Sequence, residues 1–240
     1  VLSQRFETKL IKKPIEIYKK IRKTNPSPFL YFINYEDFQI VGSSPEILVR
    51  VNNNRITIRP IAGTRPRGKS NATDMLLQKE LLSDPKEISE HLMLLDLGRN
   101  DVGKFSVTGT VKVDSQFKIE KYSHVMHIVS NVTGTLKRNS SLIDVLMSGF
   151  PAGTVSGAPK IRAMEIIDNL EKSKRKLYAG GIGYFSPKNN MDTCIALRTA
   201  IIKNNKVYIQ AGAGIVADSD PEKEYQETVN KAKALIEASR

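Results

Sequence analysis

There is no tryptophan in these 240 residues, a single cysteine and only three histidines. The lone Cys194 cannot close a disulfide within the chain, and its apolar setting, DTCIALRTA, reads as a buried, inert thiol. No run of about eighteen apolar residues occurs, which excludes a membrane-spanning helix. The opening VLSQRFETKL has neither the apolar core of a signal peptide nor a start methionine, so the chain reads as a piece of a longer one. Internal repeats are absent, and so is an acidic balance: 37 Lys+Arg against 25 Asp+Glu leaves a net charge of +12. Such a surplus suits nucleic acid, an acidic partner or a small anionic substrate. The lysines are dispersed. KKPIEIYKKIRK and EKSKRK are the two clusters, both short and both read as lying on amphipathic helices, with no RNA-type aromatic motif between them. A basic RNA-binding module stands as the reading from another class.

With 40% hydrophobic residues the chain can bury a substantial core. Pro14 to Arg22 reads as a helix that Asn25-Pro26-Ser27-Pro28 must break. FLYFINYEDFQIVGSSPEILVRVNNNRITIRP then gives four β runs between turn clusters, expected as an antiparallel meander. Helices are expected over Thr73 to Leu82 and Lys86 to Asp101, a β run over Phe105 to Lys118 with a Thr108-Gly109 turn, and a strand from His124 to Leu136. After a short helix at Ser140 to Met147, FPAGTVSGAPK reads as a loop and Ala158 to Leu170 as a helix. Tyr178 to Ser186, Asp192 to Lys203 and Lys206 to Gln210 read as strands before a last helix. Hairpins dominate over βαβ units, so the expected class is α+β with antiparallel sheets.

Two stretches carry chemistry. In AGAGIVADSDPEKEYQETVNKAKALIEASR, Gly212-Ala213-Gly214 offers a loop of small residues whose amides can approach an anion. Asp220-Pro221 is a helix cap followed by proline at the first helical position. Glu224, Glu227 and Lys231 follow at spacings of three and four, all on one face. In DPKEISEHLMLLDLGRND, Asp84-Pro85 opens another helix and Glu87 and Glu90 form a second i,i+3 pair, with His91 and an apolar run after them. A lone pair on a helix is most simply a solvated face; two pairs suggest four convergent carboxylates. At about 5 Å and an effective dielectric of about 20, each like-charge contact costs roughly 3 kcal/mol, so the cluster needs protons or a cation. Oxygen donors with no cysteine or paired histidine nearby fit Mg²⁺ and argue against zinc.

VLSQRF, GSSPEILVR, PIAGTRPRG, KEISEHLMLLDLGRND, HIVSNVTG, FPAGTVSGAPK, YAGGIGYF, ALRTA and AGAGIVADSDPEKEYQET, in this order, resemble the chorismate-utilising enzymes, in particular the large subunit (component I) of anthranilate synthase. The resemblance runs from Val1 to about Ala238. It implies two orthogonally packed antiparallel sheets flanked by helices, with residues 1–240 forming the chorismate-binding catalytic domain and an N-terminal portion of the longer subunit missing.

The resemblance also implies roles. Glu90 and Glu227 match the Mg²⁺ ligands, with Glu87 and Glu224 as water-bridged companions. Tyr178, Arg198 and the Gly212, Ala213 and Gly214 amides match the groups that hold the enolpyruvyl carboxylate, work suited to a guanidinium fork and backbone donors. Lys231 falls near the second carboxylate, and His127 and Thr154 match residues lining the ring. Glu46 matches the general acid for the departing C4 hydroxyl, a role that asks for a carboxylic acid with a raised pKa. On their own residues, His127 reads as a satisfied core histidine, Arg198 as a cross-strand ion-pair partner and Glu46 as an exposed turn residue.

The expected reaction is lyase chemistry, chorismate plus ammonia to anthranilate and pyruvate, in tryptophan biosynthesis, with isochorismate or salicylate synthesis as the alternative. Ala62 stands in PIAGT where the lysine-linked members of the family carry lysine, which favours an external nucleophile. A glutamine amidotransferase subunit is expected to supply ammonia, since no nucleophilic Cys-His pair is evident. Asn25, Pro26, Ser27, Pro28 and Phe29 resemble half of a regulatory site at which tryptophan inhibits. A hetero-oligomer in the cytoplasm or plastid stroma, without nucleic acid or membrane, completes the expectation.

Overall fold

In the computed structural model the described residues, 1–122 and 125–240, form twelve strands and six helices. In chain order these are β1 (Leu2–Lys9), α1 (Pro14–Thr24), β2 (Phe29–Asn34), β3 (Gln39–Ser44), β4 (Ile47–Asn52), β5 (Arg55–Ile58), β6 (Ile61–Pro66), α2 (Asn71–Ser83) and α3 (Pro85–Phe105). Then come β7 (Lys112–Lys121), β8 (Val125–Thr135), α4 (Leu142–Gly149), α5 (Lys160–Leu170), β9 (Gly181–Ser186), β10 (Asn190–Ile195), β11 (Thr199–Lys203), β12 (Lys206–Ala213) and α6 (Pro221–Ser239). They fall into two compact units, the first made of Val1–Glu46, Val155–Ile182 and Cys194–Arg240, the second of Ile47–Thr154 and Gly183–Thr193. No described helix is long and apolar enough to cross a membrane.

The first unit is built on a five-stranded sheet in the order β1-β12-β11-β3-β2, antiparallel throughout. Period-2 alternation turns Val207, Ile209 and Ala211 of β12 to one face, where they join Ala200 and Ile202 of β11. Helical spacing brings Ile17 and Ile21 of α1 and Ala232, Leu235 and Ala238 of α6 onto the same cluster. Each large aliphatic side chain buried there contributes about 1.5–3 kcal/mol. Both expected helix starts are formed: Asp220 accepts the N–H groups of Glu222 and Lys223, and Asp84 those of Lys86 and Glu87.

The second unit holds the seven-stranded sheet, in which β8 pairs with β7 along one edge. Its other edge is divided: β5 takes Val132 to Thr135 and β6 takes Val125 to Val129. Ser130 N–H bonds to the carbonyl of Pro60, between the two short strands. Leu81 of α2 packs on Met126 and Ile128 of β8, with Ile88 of α3 against them.

Several expected boundaries move, each for a reason outside the local pattern. The run Asp192 to Lys203 is two strands, parted at Ala196 to Arg198, where Arg198 takes a left-handed φ of 47°. Lys206 to Gln210 extends to Ala213 because β1, not foreseen, pairs with it as far as Leu2–Ala213. PIAGTRP, to which the sequence pattern assigns no element, is strand β6 with a bulge between Ala62 and Thr64. Phe105 closes α3 and its β run begins only at Lys112. Tyr178 belongs to a turn ahead of β9, and EKSKRK lies in the loop beyond α5 instead of on a helix. The strand expected from His124 begins, within the described residues, at Val125; His124 itself lies outside them.

His91 on α3 is fully buried, its Nε2 2.7 Å from Ser130 Oγ and its ring 5.3 Å from that of Phe117. Ser130 Oγ also accepts the Phe117 N–H at 3.1 Å. Burial pulls the His91 pKa down to about 4 from an ordinary 6.5. The unfolded chain binds this proton below about pH 6.5 and the folded one only near pH 4, so stability is complete above that window and falls as pH drops through it. The loss should reach about 3 kcal/mol. Urea unfolding between pH 7 and 4 should show it, and a His91→Gln variant should have a shallower slope over that range; an unchanged slope would rule the buried neutral imidazole out.

Candidate active site

Three segments of the first unit are stitched together where its strands end. Ile195 N–H bonds to the Glu46 carbonyl at 3.0 Å and the Ile195 carbonyl accepts from Ser44 Oγ at 2.6 Å. Ala196 N–H bonds to Gly180 O at 2.8 Å, and Ala179 N–H returns to Ala196 O at 3.2 Å. Ser43 N–H bonds to Arg198 O at 3.1 Å. Glu46, Tyr178 and Arg198, far apart in sequence, are thereby set on neighbouring backbone. Glu46 is 6% exposed, so it is not the exposed turn residue that its Ser-Ser-Pro-Glu setting suggests. Arg198 stands in the bend between β10 and β11, not inside a strand, so the cross-strand reading fails; a non-glycine residue at positive φ is the strained backbone that gathers at functional sites.

Tyr178 is buried, its ring 5.4 Å from the Arg175 guanidinium, and burial pushes its hydroxyl up to about 12, so it is a donor at neutral pH. The hydroxyl lies against Gly212: a Cβ there would stand 2.8 Å from it and 2.8 Å from the Leu2 carbonyl. This is why glycine occupies position 212. The expected glycine loop is corrected accordingly. Gly212 and Ala213 are strand residues paired with Ser3 and Leu2, and only Gly214 lies beyond β12. The register of β12 with β11 runs from Lys206–Lys203 to Ile209–Ala200, short of Gly212 and Ala213. Lys231 reaches the Gly212 carbonyl at 3.0 Å and Glu227 at 2.5 Å, the latter an exposed i,i+4 pair worth a few tenths of a kcal/mol. A cavity of about 400 Å³ opens on this unit, with Tyr178, Thr199 and Gln210 in its wall beside Arg5, Lys203 and Lys206. Its charge suits an anion.

In the second unit the centre is Gly63, at φ +78° in the β6 bulge. Its carbonyl lies 3.1 Å from His127 Nδ1, and Thr64 Oγ1 is 3.0 Å from the same nitrogen, so Nδ1 carries the proton. His127, on β8, is half-buried and edge-on to Tyr122 at 5.5 Å. Glu87 closes on the same glycine: a Cβ at position 63 would meet its Oε2 at 3.1 Å. The other oxygen, Oε1, is 3.0 Å from Arg65 Nη1. Arg65 was not singled out in the sequence; the signal available was an arginine two residues beyond the bulge glycine. Glu90 follows one turn later on α3, half-buried like Glu87. Ala62 is buried next to the bulge. Arg67, nearby, pairs with the buried Asp74 and holds that carboxyl well below the usual range.

Thr154, in a one-turn 3-10 helix, has its Oγ1 buried without a hydrogen-bond partner among the described residues. Asn25 caps α1 and its carbonyl accepts from Ser43 Oγ at 2.6 Å; Pro26, Ser27 and Pro28 form the link and Phe29 begins β2. Cys194 is buried.

For a metal, Glu87 and Glu90 supply hard oxygen donors one turn apart on α3, and Glu224 and Glu227 do the same on α6. Among the described residues no group of three or more His, Cys, Asp or Glu is gathered, so the four convergent carboxylates expected from the sequence are not seen as one cluster. The chemistry of either pair, one or two carboxylates, fits Mg²⁺, which is ordinarily completed by waters and an anionic substrate, better than a metal needing a full protein cage.

In the first unit a buried carboxyl, an arginine in a bend, a tyrosine hydroxyl donor and a basic cavity suit the holding of a small anionic molecule. The chorismate binding enzyme family matches residues 1–237, and the chain belongs to that family. It is 58% identical over 239 residues to anthranilate synthase component 1 of Cereibacter sphaeroides, covering 100% of this chain and 48% of that protein. Among solved structures, anthranilate synthase component I from Streptococcus pneumoniae TIGR4 superposes with a TM-score of 0.92 at 49% identity, covering 100% of this chain and 52% of the other. The menaquinone-specific isochorismate synthase from Escherichia coli gives 0.90 at 26%, covering 100% and 55%. The chain spans about half the length of the curated relatives it matches.

Gly212→Ala should lower the unfolding free energy by about 1–3 kcal/mol, the range for overpacking, as Tyr178 or the end of β1 is forced away. Gly103→Ala in α3, where a Cβ meets only Val111 at 3.9 Å, should be neutral or stabilising. Equal responses in urea unfolding would mean that the Tyr178–Gly212 contact does not exist in solution.

Proposed function

We propose that this chain is the chorismate-handling part of an anthranilate-forming lyase: ammonia adds at C2 of chorismate, the C4 hydroxyl departs as water, and pyruvate is then lost. The observation that carries the reading is the hydrogen-bonded gathering of the Glu46, Tyr178 and Arg198 segments, with Gly212 and Lys231 tied to the same unit. The choice of product rests on identity, 58% to a protein named for anthranilate synthesis against 26% to an isochorismate synthase; the fold alone, close to both, does not discriminate.

In this reading Arg198 and the Tyr178 hydroxyl hold the enolpyruvyl carboxylate, helped by the amides of Gly212, Ala213 and Gly214. Lys231 serves a substrate carboxylate. Glu46 gives its proton to the departing hydroxyl, and its burial keeps that proton from exchanging with bulk water. His127, with Nδ1 fixed by Gly63, and Thr154, with its buried hydroxyl, line the ring. Glu90 and Glu227 would hold Mg²⁺, with Glu87 and Glu224 behind them; when bound, the ion supplies charge neutralisation for the ring carboxylate. A buried alanine at position 62 leaves room for an external nucleophile. A glutamine amidotransferase subunit as ammonia source, and tryptophan acting through Asn25 to Phe29 in a longer chain, complete the proposal.

Chorismate, ammonium and Mg²⁺ should give the fluorescence of anthranilate; isochorismate as the sole product would transfer the chain to the other branch. Glu46→Gln should lower kcat by about 10²–10⁴-fold with KM little changed, since a general acid acts mainly in the transition state. A raised KM with kcat intact would move Glu46 to the binding shell.

A further inference from the structure

Arg65 spends its whole guanidinium on three carboxylates that belong to successive points of the chain. Nε bonds to Glu80 Oε1 of α2 at 2.8 Å, Nη2 to Asp84 Oδ2 at the joint before α3 at 2.8 Å, and Nη1 to Glu87 Oε1 in the first turn of α3 at 3.0 Å. Nη1 also reaches the Thr64 carbonyl at 3.0 Å, which fixes the fork to its own strand. The Arg65 side chain is 18% exposed and Glu87 22%, so this pair is not one of the loose surface pairs that contribute little, whereas Glu80 is exposed. We propose that Arg65 is the positioning residue of the α3 carboxylate pair: it keeps Glu87 as the outer carboxylate of the pair and restrains it from ligating a divalent cation directly. The proposal rests on the magnesium reading above.

Capping alone does not call for this arrangement. Asp84 caps α3 with Oδ1, which accepts from Lys86 and Glu87 N–H at 3.0 and 3.3 Å, and Arg65 holds its other oxygen. The further contact to Glu87 adds nothing to that cap. It does locate the carboxylate, with Oε1 on the guanidinium and Oε2 facing the backbone of Gly63, where no Cβ intrudes. A glutamate is otherwise among the side chains with most rotamer freedom to lose. Glu87 and Glu90, one turn apart on the same face, also repel, and a cation bonded to Glu87 relieves that. Only a planar fork meets three carboxylates at fixed angles; a lysine is a point charge on a flexible stem. Arg65 does not itself touch reacting atoms in this scheme.

The discriminating quantity is the direction of change in divalent affinity. Freed from the guanidinium, Glu87 can turn to the ion and a competing cation is gone, so Mg²⁺ binding by Arg65→Gln, titrated calorimetrically, should tighten about tenfold, the scale of one charge-assisted bond. The tightening should vanish when Glu87→Gln is already present. Glu80→Gln, which removes a different contact of the same fork, should leave the affinity alone, and Arg65→Lys should fall between parent and Arg65→Gln. Weaker Mg²⁺ binding in Arg65→Gln, in step with a fall in Tm, would overturn the proposal in favour of a merely structural residue; so would a change that persists without Glu87. A parent chain that binds no Mg²⁺ defeats the magnesium reading instead. The positioning then stands if Arg65→Gln and Glu87→Gln are coupled in urea unfolding, and falls if their effects simply add.

Discussion

The backbone groups of Ile195 and Ala196 are the hinge on which the first unit's site depends. Two fully buried residues hold one segment through an N–H and a carbonyl of Ile195, and another through an N–H and a carbonyl of Ala196. Each bond is worth about 1 kcal/mol net, but any one left unmade in a dry interior would cost more than that. The Ile195 carbonyl also takes the Leu197 N–H at 2.7 Å, so the main chain of this stretch is fully engaged. These bonds accompany the bend at Arg198 that parts β10 from β11, and they tie the carbonyl of Glu46 to Ile195. Side chains proposed for chemistry are placed by main chain, which a change of side chain disturbs little.

Charge is handled in the same economical way. The net surplus of positive charge is not spread evenly: each carboxylate pair keeps one cation close, Arg65 at Glu87 and Lys231 at Glu227. The two partners differ in kind. Arg65 is a fork held on several sides, while Lys231 is a half-exposed ammonium that also rests on the Gly212 carbonyl. A substrate rich in carboxylates can draw the second away more readily than the first.

Much of this was legible from residues alone. Asp84-Pro85 and Asp220-Pro221 located two helix starts because a cap and a proline act locally, and the four runs β2 to β5 showed in their turn clusters, although they form two hairpins in different sheets and not the expected meander. What failed did so where distant partners decide. Nothing local in DTCIALRTA tells that the chain must turn at Arg198, since the bend answers to residues 44–46 and 178–180. Gly212 looked like a loop residue; it is a strand residue kept small by a tyrosine hydroxyl from a turn more than thirty positions earlier. The glycine and prolines of PIAGTRP concealed β6 for a related reason. A bulge puts Gly63 at positive φ for the sake of Glu87 and His127, and only the partner strand reveals the pairing. Arg65 was invisible as a functional candidate because its significance lies entirely in which three acids it meets.

The divided edge of β8 has a bearing on how this chain tolerates change in length. Because β5 and β6 lie end to end along one neighbour, with Pro60 between them, the irregularity at Ala62 to Thr64 is confined to the stretch facing Val125 to Val129. Proline has no N–H with which to carry a ladder across the junction, and its carbonyl is already taken by Ser130. A residue gained or lost beyond Pro60 therefore slips one short strand and leaves its companion in register. The bulge behaves as an insulated splice, a place where the geometry around His127 and Glu87 can be retuned over evolutionary time without reopening the rest of the sheet.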